Sequence, residues 1–178
     1  QEFQKIKKIS LKRKLKLLLT NSFQSKYNFK NFMLIGNFQK KNLIMAIIAS
    51  ELCGLSQNKI SKCLGKWKNV KGRMELVRVF PDNTKIFIDF AHTPEAISSA
   101  INALKLHYKK KITIVFGCGG ERDKDKRKKI GKIVNKTCDK IYVTDDNPRN
   151  ENPKKIRKSI LKHIDKKKEK VIEIGNRS

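Results

Sequence analysis

Apolar and polar positions follow two textures along the chain, and the change falls near residue 73. Beyond it, short apolar runs alternate with amphipathic stretches. Residues 76–80 and 84–90 alternate as strands do, and Pro81, Asp82 and Asn83 between them predict a turn. Thr93 and Pro94 suit the cap and first position of a helix that ends near Tyr108, with Ile97, Ala100, Ile101 and Leu104 inward. Residues 112–116, rich in β-branched side chains, predict a buried strand. A loop with Gly117, Gly119 and Gly120 follows, then a basic helix carrying Ile130, Ile133 and Val134 on one face. A second apolar run, 141–144, breaks into Asp145, Asp146, Asn147, Pro148 and Arg149. Residues 153–164 predict another helix and 171–174 another strand.

Upstream of residue 73 the pattern is less decisive. Residues 15–19 and 29–35 could pair as a hairpin, or 4–19 could be a lysine-rich helix; the apolar spacing suits either period. Residues 43–55 predict a buried helix with Ala46, Ile47, Ala49 and Leu52 on its apolar side. Ser56 is placed to cap a second helix through Cys63. Residues 67–72 are basic and end in glycine, so they predict a linker, with Trp67 packing there rather than serving as a stacking platform. The expected domains are therefore 1–70 and 71–178.

Strand, loop, helix, strand and loop across 111–149 make a βαβ unit with parallel strands, and hence an α/β fold. Both polar loops then lie at the carboxyl ends of neighbouring strands, where open α/β sheets bind ligands. Arg122 falls in one loop and Arg149 in the other.

Composition changes this picture little. A hydrophobic fraction of 38% suffices for a core. Lys+Arg 43 against Asp+Glu 16 gives +27, which raises a nucleic-acid role. That charge is mostly lysine and spread through every segment, and the aromatic 7% is not interleaved with the basic runs as stacking platforms would be. Solvated, lysine-decorated faces are the simpler reading, and a basic nucleic-acid-binding module is kept as the alternative from another class. The chain contains no apolar run long enough to span a membrane, and its first ten residues hold no signal-peptide core. The four cysteines form no CxxC and the three histidines complete no zinc spacing, so reduced, buried thiols in a cytoplasmic protein are expected. The sequence opens without Met and is expected to be a fragment.

The glycine loop is not a dinucleotide fingerprint, because Arg122 stands at its third glycine position. No G-x-x-x-x-G-K-[ST] phosphate loop occurs. The turn of Asp146, Asn147, Pro148 and Arg149 carries more specific chemistry. A guanidinium grips a carboxylate through two parallel hydrogen bonds, and a neighbouring aspartate takes an ammonium group, so the pair suits a zwitterionic amino-acid head. Arg122 could add a second cation. Asp89 and His92 are a strand-end carboxylate and a helix-start imidazole; they either cap the turn or meet ribose hydroxyls. His107 and His163 fall on lysine-rich helix surfaces and receive no role.

Four motifs then stand in one order: Gly72-Arg73-Met74-Glu75, Asp89-Phe90-Ala91-His92-Thr93-Pro94-Glu95-Ala96, residues 116–127, and Asp146-Asn147-Pro148-Arg149. Together they resemble the Mur ligase family, and within it the diaminopimelate-adding branch, over roughly residues 30–178. The resemblance implies that residues 71–178 are most of a Rossmann-like, amino-acid-binding C-terminal domain with a mostly parallel sheet. Residues 1–70 would be the end of an α/β central, ATP-binding domain. It further implies ATP- and Mg2+-dependent amide formation through an acyl phosphate, joining meso-diaminopimelate to UDP-MurNAc-L-Ala-D-Glu. By the same resemblance Arg122, Asp146, Asn147, Pro148 and Arg149 hold diaminopimelate, while Asn42, Arg73, Asp89 and, more weakly, His92 contact the nucleotide. Another Mur ligase or a folylpolyglutamate-type ligase is the alternative within the class. The loop departs from the family pattern at Asp125 and Lys128, where glycine and proline are usual, and Gln39 stands where an asparagine is common. The phosphate loop, magnesium-binding lysine and UDP-sugar domain would precede residue 1, and a further diaminopimelate-holding motif would follow Ser178. The 178 residues are thus expected to hold no catalytic or metal residue, and to be inactive alone, with small-molecule substrates, no membrane or nucleic-acid partner, and a monomeric, cytoplasmic parent enzyme.

Overall fold

The structure, a computed structural model, describes residues 2–23, 27, 29, 34–64, 66, 70–165 and 171–176. Trp67 and residues 30–33 of the upstream segment lie outside the described residues. The chain divides into two compact units, 1–68 and 69–178.

Among its described residues the first unit is helical. The helical reading holds at its start, where α1 spans Glu2–Lys12. Residues 15–19 form no strand, and a short 3-10 turn, Thr20–Ser22, follows them. Helix α2, Asn37–Leu52, buries Leu43, Ile44, Ile47 and Ile48. This corrects the expected stripe: Ala46 and Ala49 are exposed and Leu52 is 65% exposed. The four large aliphatics at i, i+1, i+4 and i+5 lie on one side of the helix, and burying them removes more apolar area from water than burying two alanines. Helix α3, Gln57–Leu64, starts as its sequence indicates, with Ser56 Oγ accepting from Lys59 N–H at 3.4 Å. Tyr27, Leu43, Ile47 and Ile60 form a small core. Within it the Tyr27 hydroxyl donates to Glu51 Oε1 at 2.7 Å, and burial first, then that carboxylate, pushes the phenol up to about 12.

The second unit opens with an antiparallel hairpin, β1 (Glu75–Val79) and β2 (Lys85–Ile88), interrupted by a bulge between Leu76 and Arg78. Its turn closes where predicted: Asn83 N–H donates to Phe80 O at 2.9 Å and Asp82 Oδ1 accepts from Thr84 N–H at 3.0 Å. Helix α4, Pro94–Tyr108, has Thr93 as its cap, with Oγ1 accepting from Ala96 N–H at 3.2 Å. It buries Ile97, Ala100 and Ile101, while Leu104 is half-buried.

Two successive parallel crossovers follow. Strand β3 (Thr113–Phe116) leads through α5 (Asp125–Thr137) to β4 (Lys140–Thr144), and α6 (Pro153–Leu161) leads to β5 (Val171–Ile174). The order β3-β4-β5 puts both loops of interest at the carboxyl ends of adjacent parallel strands. Strand β3 is not buried on both faces: Phe116 points inward while Val115 is 63% exposed. Helix α6 ends three residues earlier than predicted, in a turn. Helices α4 and α6 both pack on α5, whose inward stripe of Arg127, Ile130, Gly131 and Val134 has i, i+3, i+4, i+7 spacing. The core gathers Ile97, Ile101, Phe116, Ile130, Val134, Ile141, Val143, Ile156 and Ile160. Each fully buried Ile or Val contributes about 1.5–3 kcal/mol by leaving water. All four cysteines are free, and two correct the expectation of burial: Cys53 and Cys63 are exposed, whereas Cys118 and Cys138 are buried.

Candidate functional site

The loop after β3 and the loop after β4 are stitched together by their backbones. Gly120 N–H donates to Asn147 O at 2.9 Å, and the Arg149 guanidinium returns a bond from Nη1 to Gly120 O at 2.6 Å. The approach is so close that a Cβ on Gly120 would stand 1.9 Å from Pro148 O, and one on Gly117 would stand 2.5 Å from Thr144 O. No side chain fits either gap. The glycine loop therefore serves backbone-to-backbone contact between two strand ends.

Arg149 sits at the left-handed φ of 50°, and Glu121 opposite it at 52°. For residues with a Cβ this costs roughly 1–2 kcal/mol each, so the surrounding bonds must hold them there. Asn147 Oδ1 accepts from Arg149 N–H at 3.3 Å, and Glu151 N–H donates to Pro148 O at 3.0 Å, closing a turn around Arg149. With Nη1 committed to Gly120, the Nε and Nη2 edge of Arg149 meets no acceptor among the described residues. That edge has the geometry for two parallel bonds to a carboxylate. Asp146 is exposed, and among the described residues only its Oδ1 is engaged, accepting from Asn147 N–H at 2.8 Å. Arg122 is exposed, two residues past Gly120, and makes no hydrogen bond or ion pair among the described residues.

Behind these loops lies an ion pair the sequence reading missed. Arg127, 3% exposed, donates from Nη1 to Glu151 Oε2 and from Nη2 to Glu151 Oε1, both at 3.0 Å, and from Nη2 to Gly119 O at 3.2 Å. Glu151 Oε1 also accepts from Glu121 N–H at 2.6 Å. The Arg127 side chain first, then the Glu121 amide, holds the Glu151 carboxyl down at about 2. A second buried arginine holds two carboxylates: Arg157 bonds to Asp145 and, from Nε at 2.7 Å, to Glu173 on β5. A signal for both arginines was available. The chain has only eight arginines among its 43 basic residues, and an arginine set in a lysine run is where fork geometry is needed.

The other predicted residues of this unit form a second group. Asp89 joins the two ends of the hairpin, accepting from Met74 N–H on Oδ2 and from Ala91 N–H on Oδ1, both at 2.8 Å. The Arg73 guanidinium lies over the Phe90 ring, 4.9 Å from its centroid, and the exposed His92 ring meets Phe90 edge-on at 5.7 Å. His92 Nδ1 lies 3.2 Å from Phe90 O. Phe90, 64% exposed, is the centre of this group and was not singled out from sequence. Asn42 belongs to the first unit and is an exposed residue of α2. Gln39, one turn earlier, accepts from Ile35 N–H at 2.9 Å. No group of three His, Cys, Asp or Glu suited to a metal occurs among the described residues.

Parallel strands joined by helices, with two polar loops locked at their carboxyl ends, define an α/β ligand-binding domain of Rossmann-like kind. Residues 72–178 match the model of the Mur ligase, glutamate ligase domain family. The chain belongs to the Mur ligase family. It is 47% identical over 143 residues to the UDP-N-acetylmuramoyl-L-alanyl-D-glutamate–2,6-diaminopimelate ligase of Rickettsia montanensis, covering 79% of this chain and 29% of that protein. The ligase of the same name from Buchnera aphidicola subsp. Schizaphis graminum is 43% identical over 144 residues, 81% of this chain and 29% of that protein. A solved diaminopimelate ligase of this name superposes with a TM-score of 0.56 at 33% identity, over 81% of this chain and 29% of that one. A folylpolyglutamate synthase of Mycobacterium tuberculosis shares the fold, with a TM-score of 0.61 at 19% identity over 80% of this chain and 31% of that one. The chain thus spans under a third of the length of these relatives. No described helix is long and apolar enough to cross a membrane.

Proposed function

We propose that this chain is the amino-acid-accepting domain, with part of the ATP-binding domain before it, of a cytoplasmic, monomeric ligase of peptidoglycan synthesis. The ligase joins meso-diaminopimelate to the D-glutamyl carboxylate of UDP-MurNAc-L-Ala-D-Glu. ATP, with Mg2+, supplies the phosphoryl group that turns that carboxylate into an acyl phosphate. The amine nitrogen of diaminopimelate then attacks the acyl carbon, the C–N bond forms, and phosphate leaves with the electrons of the broken C–O bond.

The observation that carries this reading is the locked loop pair, with its open Arg149 edge beside Asp146. Arg149 grips a carboxylate of the incoming amino acid through Nε and Nη2, and Asp146 takes the ammonium on the same carbon. Arg122 adds positive charge for the carboxylates, while Asn147 and Pro148 shape the turn. The names of the relatives at 43–47% identity support the choice of diaminopimelate. In this reading Arg73, Asp89 and His92, grouped around Phe90, contact the nucleotide, and Asn42 of the first unit is assigned to it by family resemblance alone. A guanidinium stacked on an exposed ring suits a phosphate and a planar base.

Lysine lacks the distal carboxylate of diaminopimelate, so accepting it would leave a guanidinium unpaired. Phosphate release by the full-length enzyme should favour meso-diaminopimelate over L-lysine by up to about 10⁴-fold in kcat/KM. Arg149→Lys should raise the amino-acid KM strongly and leave the ATP KM nearly unchanged. Equal use of the two amino acids, or equal effects of the substitution on both KM values, would overturn the assignment.

A further inference from the structure

We infer that the buried Arg127–Glu151 pair is the positioning element of the amino-acid subsite, setting where Arg149 stands and hence which amino acid is accepted. The inference rests on the reading of the two loops as that subsite. Arg127 is 3% exposed. Its role is therefore to hold other groups rather than to touch substrate. One guanidinium reaches both loops: Nη2 takes Gly119 O at 3.2 Å, and Nη1 and Nη2 take the two oxygens of Glu151 at 3.0 Å. Glu151 carries the connection further. Its Oε1 accepts from Glu121 N–H at 2.6 Å, and its own N–H donates to Pro148 O at 3.0 Å. Arg149 lies inside the turn that this last bond closes, in a left-handed conformation it would not hold unaided.

Every side-chain bond of the pair ends within residues 119–121 or 151, so its action is local to the loops. The geometry needs a flat, three-point donor. Lysines flank the position at Lys126 and Lys128, yet position 127 is arginine. An ammonium is a point charge that cannot span a carboxylate and a carbonyl in one plane. Glutamine at 151 would keep the size of the side chain but turn an amide NH2 against an arginine NH2, a clash of two donors.

The test uses the full-length enzyme carrying Glu151→Gln. Loosening Arg149 should raise the KM for meso-diaminopimelate by at least about tenfold, as expected for a binding group displaced by a fraction of an ångström. The KM for ATP and the amino-acid-independent burst of ADP should stay within about twofold of wild type, because uniform loss of fold would lower all of them together. Arg127→Lys should reproduce the defect despite keeping the charge. An unchanged amino-acid KM in both variants overturns the inference, as does a burst lost in proportion to ligation. Failure of both variants to yield folded protein overturns it too, since the pair would then act on the whole fold. Wild-type enzyme is run in parallel with meso-diaminopimelate and L-lysine. If it uses only L-lysine, the substrate reading fails while the KM shift on lysine still decides the inference; if it uses neither, both fall.

Discussion

The two groups of candidate residues in the second unit are built in opposite ways. Around Arg149 the backbones of two loops touch, two residues are held at positive φ, and a buried ion pair braces the contact from behind. Around Phe90 the Asp89 carboxylate is committed to backbone, while the aromatic ring, Arg73 and His92 are exposed residues. Bidentate recognition of a small zwitterion depends on tenths of an ångström, so it calls for a rigid frame. Stacking against a ring tolerates lateral shifts, so a looser group serves. The difference in construction matches the difference between the two proposed roles.

The largest effect is expected where the frame is tightest. Gly120→Ala brings a Cβ to 1.9 Å from Pro148 O, so the loops must part. Ligation by the full-length enzyme should fall by at least about 100-fold, the scale of a misplacement of 1 Å. Wild-type rates in this variant would mean the contact has no part in catalysis. Asp89→Ala should act on the other group. It leaves the amides of Met74 and Ala91 without their acceptor, at a cost of about 1–3 kcal/mol in stability by denaturant titration. It should also raise the ATP KM and spare the amino-acid KM; the reverse pattern would exchange the roles of the two groups.

The smallest effect is a pH dependence. Glu151 titrates at about 2 when folded, below the ordinary glutamate value of about 4.3. The stability from this shift is therefore full above about pH 5 and lost as the pH falls toward 2. Urea midpoints between pH 6 and pH 2 should fall less steeply in Glu151→Gln than in wild type. Identical slopes would show that the carboxylate is not held by Arg127 in solution.

Much of the second unit could be read from local pattern. Thr93 and Pro94 start α4, Asp82 and Asn83 turn the hairpin, and the apolar runs at 112–116 and 141–144 supply strands that pair in parallel. These features need only neighbours within a few residues to be favourable. That Asp146 to Arg149 form a loop at the end of a strand was also legible, because the apolar run stops at Thr144 and Pro148 cannot continue a strand ladder. The buried face of α2 was not legible, since period alone does not tell which of two overlapping stripes is covered. Arg127 looked like one more cation in a lysine-rich helix. Its partner lies 24 residues on, and that separation carries no local signature.

By itself the sequence determined the α/β alternation, the helix caps and the identity of the turn that bears Arg149, because each follows from spacing and side-chain chemistry over a handful of positions. Tertiary structure decided which edge of Arg149 stays open, which carboxylate Arg127 holds and which glycines tolerate no side chain. Those outcomes depend on chain segments distant in sequence coming within hydrogen-bonding or van der Waals range, and only the packed sheet and helices bring them there.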